Sequence, residues 1–577
     1  MKLEAWRIAQ AIPVAAALLH VATAGLPDIY DELPGQYAGT AREMAESGSW
    51  LIPSLDGIPR LQKPPLAYWL TAASLSLLGR SEFAARLPTA LSLAGLTLVT
   101  YALGARLYGH ARGVAAAAIL GTSFGTVALG KLIMPEPFLA LGIAASLLAA
   151  VRCVDDPLRQ GRWSLAVWGA AAFATLSKGL HGLLLPAVVL ALVATLSPGS
   201  RRPLLALARP SGVALYLALV LPWPLYVESQ FPGYLRDNLL NEQLGHLLDT
   251  HFPRDSEPTP LALLWAQHLV WWFPWVFFAV AALLNRAEKC AHPVGALPTV
   301  WLLTTSVAAS LSGQRQDYHT MFAWPAFALL VSRAWDCGSD RRGMGPALAL
   351  PLGALALLAM VGLAVYAVGG AEPPDARATS APFGARNSVM GVISGISAAE
   401  WRRLRPLLLP GAGGLLVGAA GALALAGRRE TRQWSWAPLA VGALGPLLAA
   451  GLGLQAFAPL FGLKPIAVAL NREAPRGGIV VYDGPSRRAS SLCFYVDVSL
   501  RWLERPETEF AVRSRGIGHD RFVTEAEVVA RWRAGEPVWL ITEESRLDHW
   551  RALVEDRLGD VVARSGTRVL VGNSPGG

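Results

Sequence analysis

The chain has 577 residues, 53% of them hydrophobic and 16% charged; soluble domains usually carry roughly 25% charge, which excludes a wholly soluble globular protein. The net charge of +9 is read first as the cytoplasmic-loop bias of a membrane protein and not as a nucleic-acid footprint. Cys153, Cys290, Cys337 and Cys493 show neither metal spacing nor an obvious pair, and no P-loop or GxGxxG follows a strand-like run, so a disulfide framework and nucleotide hydrolysis are set aside.

Lys2 and Arg7 precede an apolar segment too long for a cleaved signal peptide, which predicts a retained first helix with its N-terminus in the cytoplasm. Further apolar runs, each close to the roughly 20 residues that cross a bilayer, predict spans at 7–27, 84–108, 113–131, 135–152, 163–178, 180–197, 204–227, 262–284, 294–312, 319–335, 344–369, 406–427 and 435–458. This count makes the loops with Arg106 and Arg112, Arg152 to Arg162, Arg201 and Arg202, Arg286 and Lys289, Arg333 to Arg342, and Arg428 to Arg432 cytoplasmic. One outer loop, 370–406, carries Arg402, Arg403 and Arg405 against the rule, as an interfacial helix turn or a headgroup contact.

Residues 1–460 therefore form a transmembrane domain, with large outer loops at 28–83 and 228–261. Residues 461–577 regain polarity, and "GGIVVYDG", "PVWLITEE" and a helical "RLDHWRALVEDRLGDVV" predict a small outer α/β domain. In it, Asp483-Gly484 marks a turn, and Arg487 and Arg488 are solvated or bind a glycan or lipid phosphate.

Within the first outer loop, "YAGTAREMAESGSW" and "KPPLAYWLTAASLSLLG" have the pattern of two helices lying on the membrane surface over a cavity. Ionisable residues collect on that side: Asp28, Asp31, Glu32, Lys63, Lys131, Glu136, Lys178, His181, Glu242, His246, His251, Arg315, Asp317, Tyr318 and His319. Such groups at a bilayer are costly and are functional candidates by default. Lys63, held extended by the prolines after it, suits phosphate or plain snorkelling; Lys178, next to Gly179 and Gly182, has the same two readings. On composition alone Asp31 and Glu32 read as loop acids or a helix cap ahead of functional acids, and Glu136 as a partner of a helix N-terminus.

Asp31-Glu32 with "AREM" and "SGSWLIP", then "LQKPPLAYWL", "ARLPTAL", "LSKGLHGLLLP", "LPWPLYV" and "QRQDYHTMFAWPAFALL", resemble in kind and order the GT-C integral-membrane glycosyltransferases of the aminoarabinose transferase and protein O-mannosyltransferase type. The resemblance implies a GT-C fold and an inner-membrane enzyme that moves a sugar, with inversion, from a polyprenyl-phosphate donor to lipid A, an envelope glycan or a protein at the periplasmic face. It implies Asp31 as base, accompanied by Glu32 and Glu136, with Lys63, Lys178, Tyr318, His246 and Arg315 around the donor phosphate. Relatives carry Glu and His where this chain has Gln62 and Gln243, and two neutral amides make a poor zinc set, so no zinc is expected there. His246, His251 and His319 form a second, less favoured metal arrangement. No nucleic-acid partner is expected, and the chain is expected to be a monomer. The competing function is a flippase for a lipid-linked sugar, which predicts inverted repeats and charged pairs at the bilayer midplane.

Overall fold

The structure, a computed structural model, describes residues 2–252, 258–284, 292–335, 344–368, 402, 404–428, 430–473, 478–504, 510–555 and 557–573. The expectations for Cys290, Cys337, Arg286, Lys289, Arg341, Arg342, Arg403 and Arg429, and for most of the 370–406 loop, lie outside these residues. Among the described residues six helices are long and apolar enough to cross a membrane, up to eight if two sharply bent pairs each count as one. Three shorter apolar helices, Ala11–Ala22, Leu66–Leu78 and Leu297–Leu311, accompany them. The thirteen predicted runs mostly map onto helices, but several are broken: 113–131 becomes α5 (His110–Gly121) and α6 (Phe124–Leu129), separated at Thr122 and Ser123.

After α1 (Lys2–Ala22) the chain enters α2 (Leu33–Ser47), which begins with Pro34 in its first turn and ends at Gly48 in the left-handed conformation (φ 73°). A two-residue hairpin, β1 (Ser54–Leu55) and β2 (Ile58–Pro59), leads to α3 (Leu66–Leu78). One face of α2 packs inward. Its face of Tyr37, Ala38, Ala41 and Met44 is buried with Tyr68 and Ala72 of α3, Phe138, and Phe494 from the C-terminal segment. Tyr37 stacks on Tyr68 at 4.7 Å, and each large apolar side chain so covered contributes roughly 1.5–3 kcal/mol. Four long helices follow: α4 (Glu82–Tyr108), capped by Ser81 accepting from the Ala84 amide, α7 (Glu136–Asp155), α8 (Gln160–Lys178) and α9 (His181–Leu196).

The C-terminal segment builds a five-stranded sheet in the order β4-β3-β5-β7-β6, from β3 (Ile479–Pro485), β4 (Leu500–Glu504), β5 (Val538–Glu543), β6 (Val561–Ser565) and β7 (Arg568–Gly572). β3 runs parallel to β4 and β5, while β7 is antiparallel to β5 and β6. Both faces are covered, as parallel strands require: Val480, Tyr482 and Ile541 pack under Ile466 and Leu470, and Val481, Leu540 and Val571 under Val528, Trp532 and Trp550. The predicted terminal helix is shorter than its pattern; Leu547–Leu553 is helical, and the β-branched Val561 and Val562 are instead drawn into β6 against β7. Asp483 is corrected too: it is no turn acid but a buried acceptor for Thr542 Oγ1 (2.6 Å), Arg546 Nε (2.7 Å) and Trp550 Nε1 (2.7 Å).

Candidate active site

The polar residues of the loops separate into two groups. The first joins the opening loop to the C-terminal sheet. The Asp31 amide donates to the Phe461 carbonyl (2.6 Å), the Glu32 amide to the Arg487 carbonyl (3.0 Å), and Ser490 Oγ to the Glu32 carbonyl (3.0 Å). The Asp31 carboxylate, fully buried, accepts from the Ser491 amide (2.9 Å) and from Arg568 Nη1 (2.6 Å). Arg568 also donates to the Arg488 carbonyl (2.7 Å). Burial pushes the Asp31 carboxyl up against the opposing pull of Arg568 and Ser491, and burial likewise raises Glu32 against the pull of Arg487. Asp31, expected beside Lys63, Glu136, Lys178 and Tyr318, has Arg568 and Ser491 as its polar partners among the described residues. Around this pair, Lys464 bridges Asp28 (2.9 Å) and Glu82 (2.5 Å), and Arg42 reaches Asp497 (3.0 Å). Arg487 and Arg488 supply backbone carbonyls to the junction.

The second group lies where α7 begins, α8 ends and the 237–251 segment folds back. Glu136 opens α7 just after Pro135 and is 2% exposed. Its Oε1 accepts from Lys178 Nζ at the end of α8, and its Oε2 has no hydrogen-bond partner among the described residues. The Lys178 ammonium also sits 5.6 Å from the centre of the Tyr318 ring, a cation–π contact, and His319 meets Tyr318 edge-on. Lys63 pairs with Glu242 at 3.2 Å. Glu242 accepts in addition from His251 Nε2 (3.1 Å), and His246 Nε2 lies 3.6 Å from its other oxygen. Burial opposes the charge of Glu242, but Lys63 and the two imidazoles outweigh it and hold the carboxyl well below its ordinary range.

Of the residues expected at the donor phosphate, Lys63, Lys178, Tyr318 and His246 thus fall in this second group. Arg315 is committed to backbone, donating to the carbonyls of Thr259 (3.2 Å) and Ser312 (3.0 Å), which ties two loops together. Lys131 is likewise structural, donating to the Thr23 carbonyl (2.8 Å) at the end of α1. The sequence pattern gives Glu242 no part in the site and His251 only the less favoured metal arrangement with His246 and His319; here both histidines converge on Glu242 instead, and the Glu-x3-His spacing of 242 and 246 is the signal that could have shown it. The glycine beside Lys178 is required by a close approach: Gly179 (φ 98°) carries the Gln243 amide so near that a Cβ would meet its nitrogen at 2.5 Å. Gln243 Oε1 is buried without a partner among the described residues. As a zinc set Gln62 and Gln243 do not fit, since both offer only neutral amide oxygens where the metal takes carboxylate, imidazole or thiolate.

Residues 62–226 match the family model described as dolichyl-phosphate-mannose-protein mannosyltransferase. A protein of Shewanella sediminis named undecaprenyl phosphate-alpha-4-amino-4-deoxy-L-arabinose arabinosyl transferase is 23% identical over 345 residues, 59% of this chain and 61% of that one. A protein of the same name from Pseudomonas savastanoi pv. phaseolicola is 31% identical over 246 residues, 41% of this chain and 42% of the relative. The chain thus spans less than two thirds of the length of these curated relatives. In three dimensions the likeness runs the whole length: the crystal structure of ArnT from Cupriavidus metallidurans bound to undecaprenyl phosphate superposes with a TM-score of 0.77 at 21% identity, covering 98% of this chain and 97% of that one. The apo form of the same protein gives 0.76 at 22% identity, covering 99% and 98%. The chain thus has the fold of this transferase from end to end, and over residues 62–226 it is similar in sequence to the dolichyl-phosphate-mannose-protein mannosyltransferases.

Proposed function

We propose that the chain is an inverting glycosyltransferase of the bacterial inner membrane, moving a monosaccharide from a polyprenyl-phosphate donor to a lipid, glycan or protein acceptor on the periplasmic side. The observation that carries this is the pairing of two lysines with two buried carboxylates in one group, Lys178 with Glu136 and Lys63 with Glu242. In the displacement, an acceptor oxygen forms a bond to the anomeric carbon while the bond from that carbon to the phosphate oxygen breaks. The phosphate leaves with one more negative charge than it had as a diester, and the acceptor hydroxyl must lose its proton. Lys63, Lys178, the Tyr318 hydroxyl and His246 are the groups that stabilise the departing phosphate. Glu136 is the base this geometry favours over Asp31, because one of its oxygens is held by Lys178 and the other is buried without a partner.

In this reading the loops of 28–83 and 228–261 and the sheet domain of 461–577 lie on the periplasmic side, the N-terminus is cytoplasmic, and the spans number about thirteen once broken and short helices are counted. The relatives' names point to undecaprenyl phosphate aminoarabinose as donor, with lipid A as the matching acceptor. The test is purified protein with a synthetic polyprenyl-phosphate sugar: release of polyprenyl phosphate in step with glycosylated acceptor supports the reading, with Glu136→Gln binding donor but failing to turn it over. Transbilayer movement of the donor with no bond cleavage would overturn it in favour of the flippase.

A further inference from the structure

Glu242, His246 and His251 bring one ligand atom each to within 4.8 Å of one another, and no other three His, Cys, Asp or Glu side chains converge so among the described residues. The convergence is held by the surrounding backbone. Asn241 exchanges two hydrogen bonds with Phe252, through Nδ2 to its carbonyl (2.7 Å) and Oδ1 from its amide (2.8 Å), and the Thr250 amide closes on the Gly245 carbonyl (2.9 Å). The reversal passes through Asp249 in the left-handed conformation (φ 60°), whose Oδ1 takes the Gln314 side-chain amide (2.6 Å). The loop before Tyr318 fastens the same turn, Gly313 and Gln314 donating backbone amides to the carbonyls of Leu247 (2.8 Å) and His246 (3.1 Å). The two imidazoles are stacked nearly parallel, 4.0 Å apart, beside this carboxylate, so one ring has to turn about its Cβ–Cγ bond for both Nε2 lone pairs to meet a single ion.

We propose that Glu242, His246 and His251 form a binding site for a divalent transition-metal ion such as zinc, distinct from the Gln62 and Gln243 position. Two imidazoles and a carboxylate are a set that catalytic zinc sites use, leaving the fourth position to an outside ligand. Bonds of roughly 2.0–2.2 Å around a tetrahedral ion place ligand atoms about 3.3–3.6 Å apart. The distances from the Glu242 oxygens to His251 (3.1 Å) and His246 (3.6 Å) already lie near that spacing. The competing occupant is the Lys63 ammonium, 3.2 Å from Glu242. A metal ion on the carboxylate displaces that contact, and, resting here on the transferase reading, turns Lys63 toward a donor phosphate.

The test uses full-length protein in detergent, stripped with chelator and titrated with Co²⁺ and Zn²⁺ in the absence of any donor, so that its outcome is independent of transfer activity. One equivalent per chain retained through desalting, with the visible d–d absorption of low-coordinate Co²⁺, is expected. His251→Gln and Glu242→Gln should weaken binding by no less than the roughly 10–100-fold that loss of an outer-shell partner costs. Gln62→Ala and His319→Gln should leave it within about twofold. Thermal melting of each variant shows whether it is folded, and the wild-type titration stands by itself. No stoichiometric binding by wild type, binding that survives His251→Gln in folded protein, or binding lost with Gln62→Ala or His319→Gln would overturn the site.

Discussion

Replacing Arg568 by Met asks whether Asp31 serves the reaction or the architecture. Arg568 is 3% exposed and donates to the Asp31 carboxylate and to the carbonyls of Arg488 and Leu460. Met keeps much of its length and none of its donors, so the Asp31 carboxylate stays buried with Ser491 as its remaining partner among the described residues. Removing one member of a buried pair costs about 3–5 kcal/mol, most of it the penalty of the charge left behind. Asp31→Asn should cost a similar amount by stranding the guanidinium, though its two carbonyl contacts soften the loss. Because neither charge remains in Asp31→Asn with Arg568→Met, the double variant should recover about 2 kcal/mol relative to the sum of the single changes. Unfolding can be followed by tryptophan fluorescence, since Trp502, Trp532 and Trp550 are buried in the sheet domain, and a loss of this size shifts the melting of a domain of about 100 residues by more than about 10 °C. Turnover should fall in both single variants and partly return in the double. If Asp31→Asn abolished turnover with an unchanged melting temperature while Arg568→Met left both intact, Asp31 would be the base and the structural account would fail.

At the second group, Glu136→Gln keeps the shape and removes the proton acceptor, so kcat should drop by about 10²–10⁴ with donor affinity retained; single-turnover assays with bound donor separate the two. Lys178→Met and Lys63→Met should instead raise KM for the donor as well, read from initial rates across donor concentration. Gly179→Ala places a methyl against the Gln243 amide at a φ of 98°, a strain of about 1–3 kcal/mol, and kcat/KM should fall roughly tenfold or more while membrane expression is unchanged. Asp56 accepts from Trp502 Nε1 (2.9 Å) and pairs with Arg521 (3.3 Å), and burial raises its carboxyl to about 6 despite Arg521. Because the folded value exceeds the unfolded one, near 3.9, the folded chain binds more protons between about pH 4 and 6, so stability falls as pH rises through that window and is lowest above it. Asp56→Asn should flatten this dependence and raise stability at pH 7.5 by about 3 kcal/mol at most; a lower melting temperature at pH 7.5 would show that the Arg521 pair outweighs the burial.

Hydrophobic runs were legible because a bilayer-spanning helix needs little beyond length and apolar composition, and α4, α7 and α9 lie within a few residues of their predicted spans. Helix breaks were less legible: the run 113–131 is continuous in hydropathy, and only Thr122 and Ser123, whose hydroxyls bond back to the carbonyls of Ala118 and Ile119, mark where it parts. The pairing of Lys178 with Glu136 needed tertiary structure, since 42 residues separate them. The setting of Asp31 was the least readable, because its partner Arg568 is 537 positions away on the last strand and no local pattern distinguishes that arginine from Arg564, which is paired on the surface with Glu544.

The junction also explains why a membrane helical bundle carries a sheet domain that holds none of the residues expected at the phosphate. α2 is clasped on one side by the 490–497 segment, through Arg42 and the Phe494 ring, and on the other by α3 through the Tyr37–Tyr68 stack. Tyr68 in turn accepts from Arg60 Nε (3.1 Å), and Arg60 Nη2 donates to Gln36 Oε1 (2.8 Å), so the short stretch between Arg60 and Tyr68 is fixed at both ends. Lys63 lies inside that stretch. A disturbance at Asp31 or Arg568 loosens α2, and through α2 the frame that sets where Lys63 sits relative to Glu242. Loss of activity in Asp31 variants is therefore what a positioning role predicts as well as a catalytic one; the recovery in the double variant, which a lost base cannot give, separates the two.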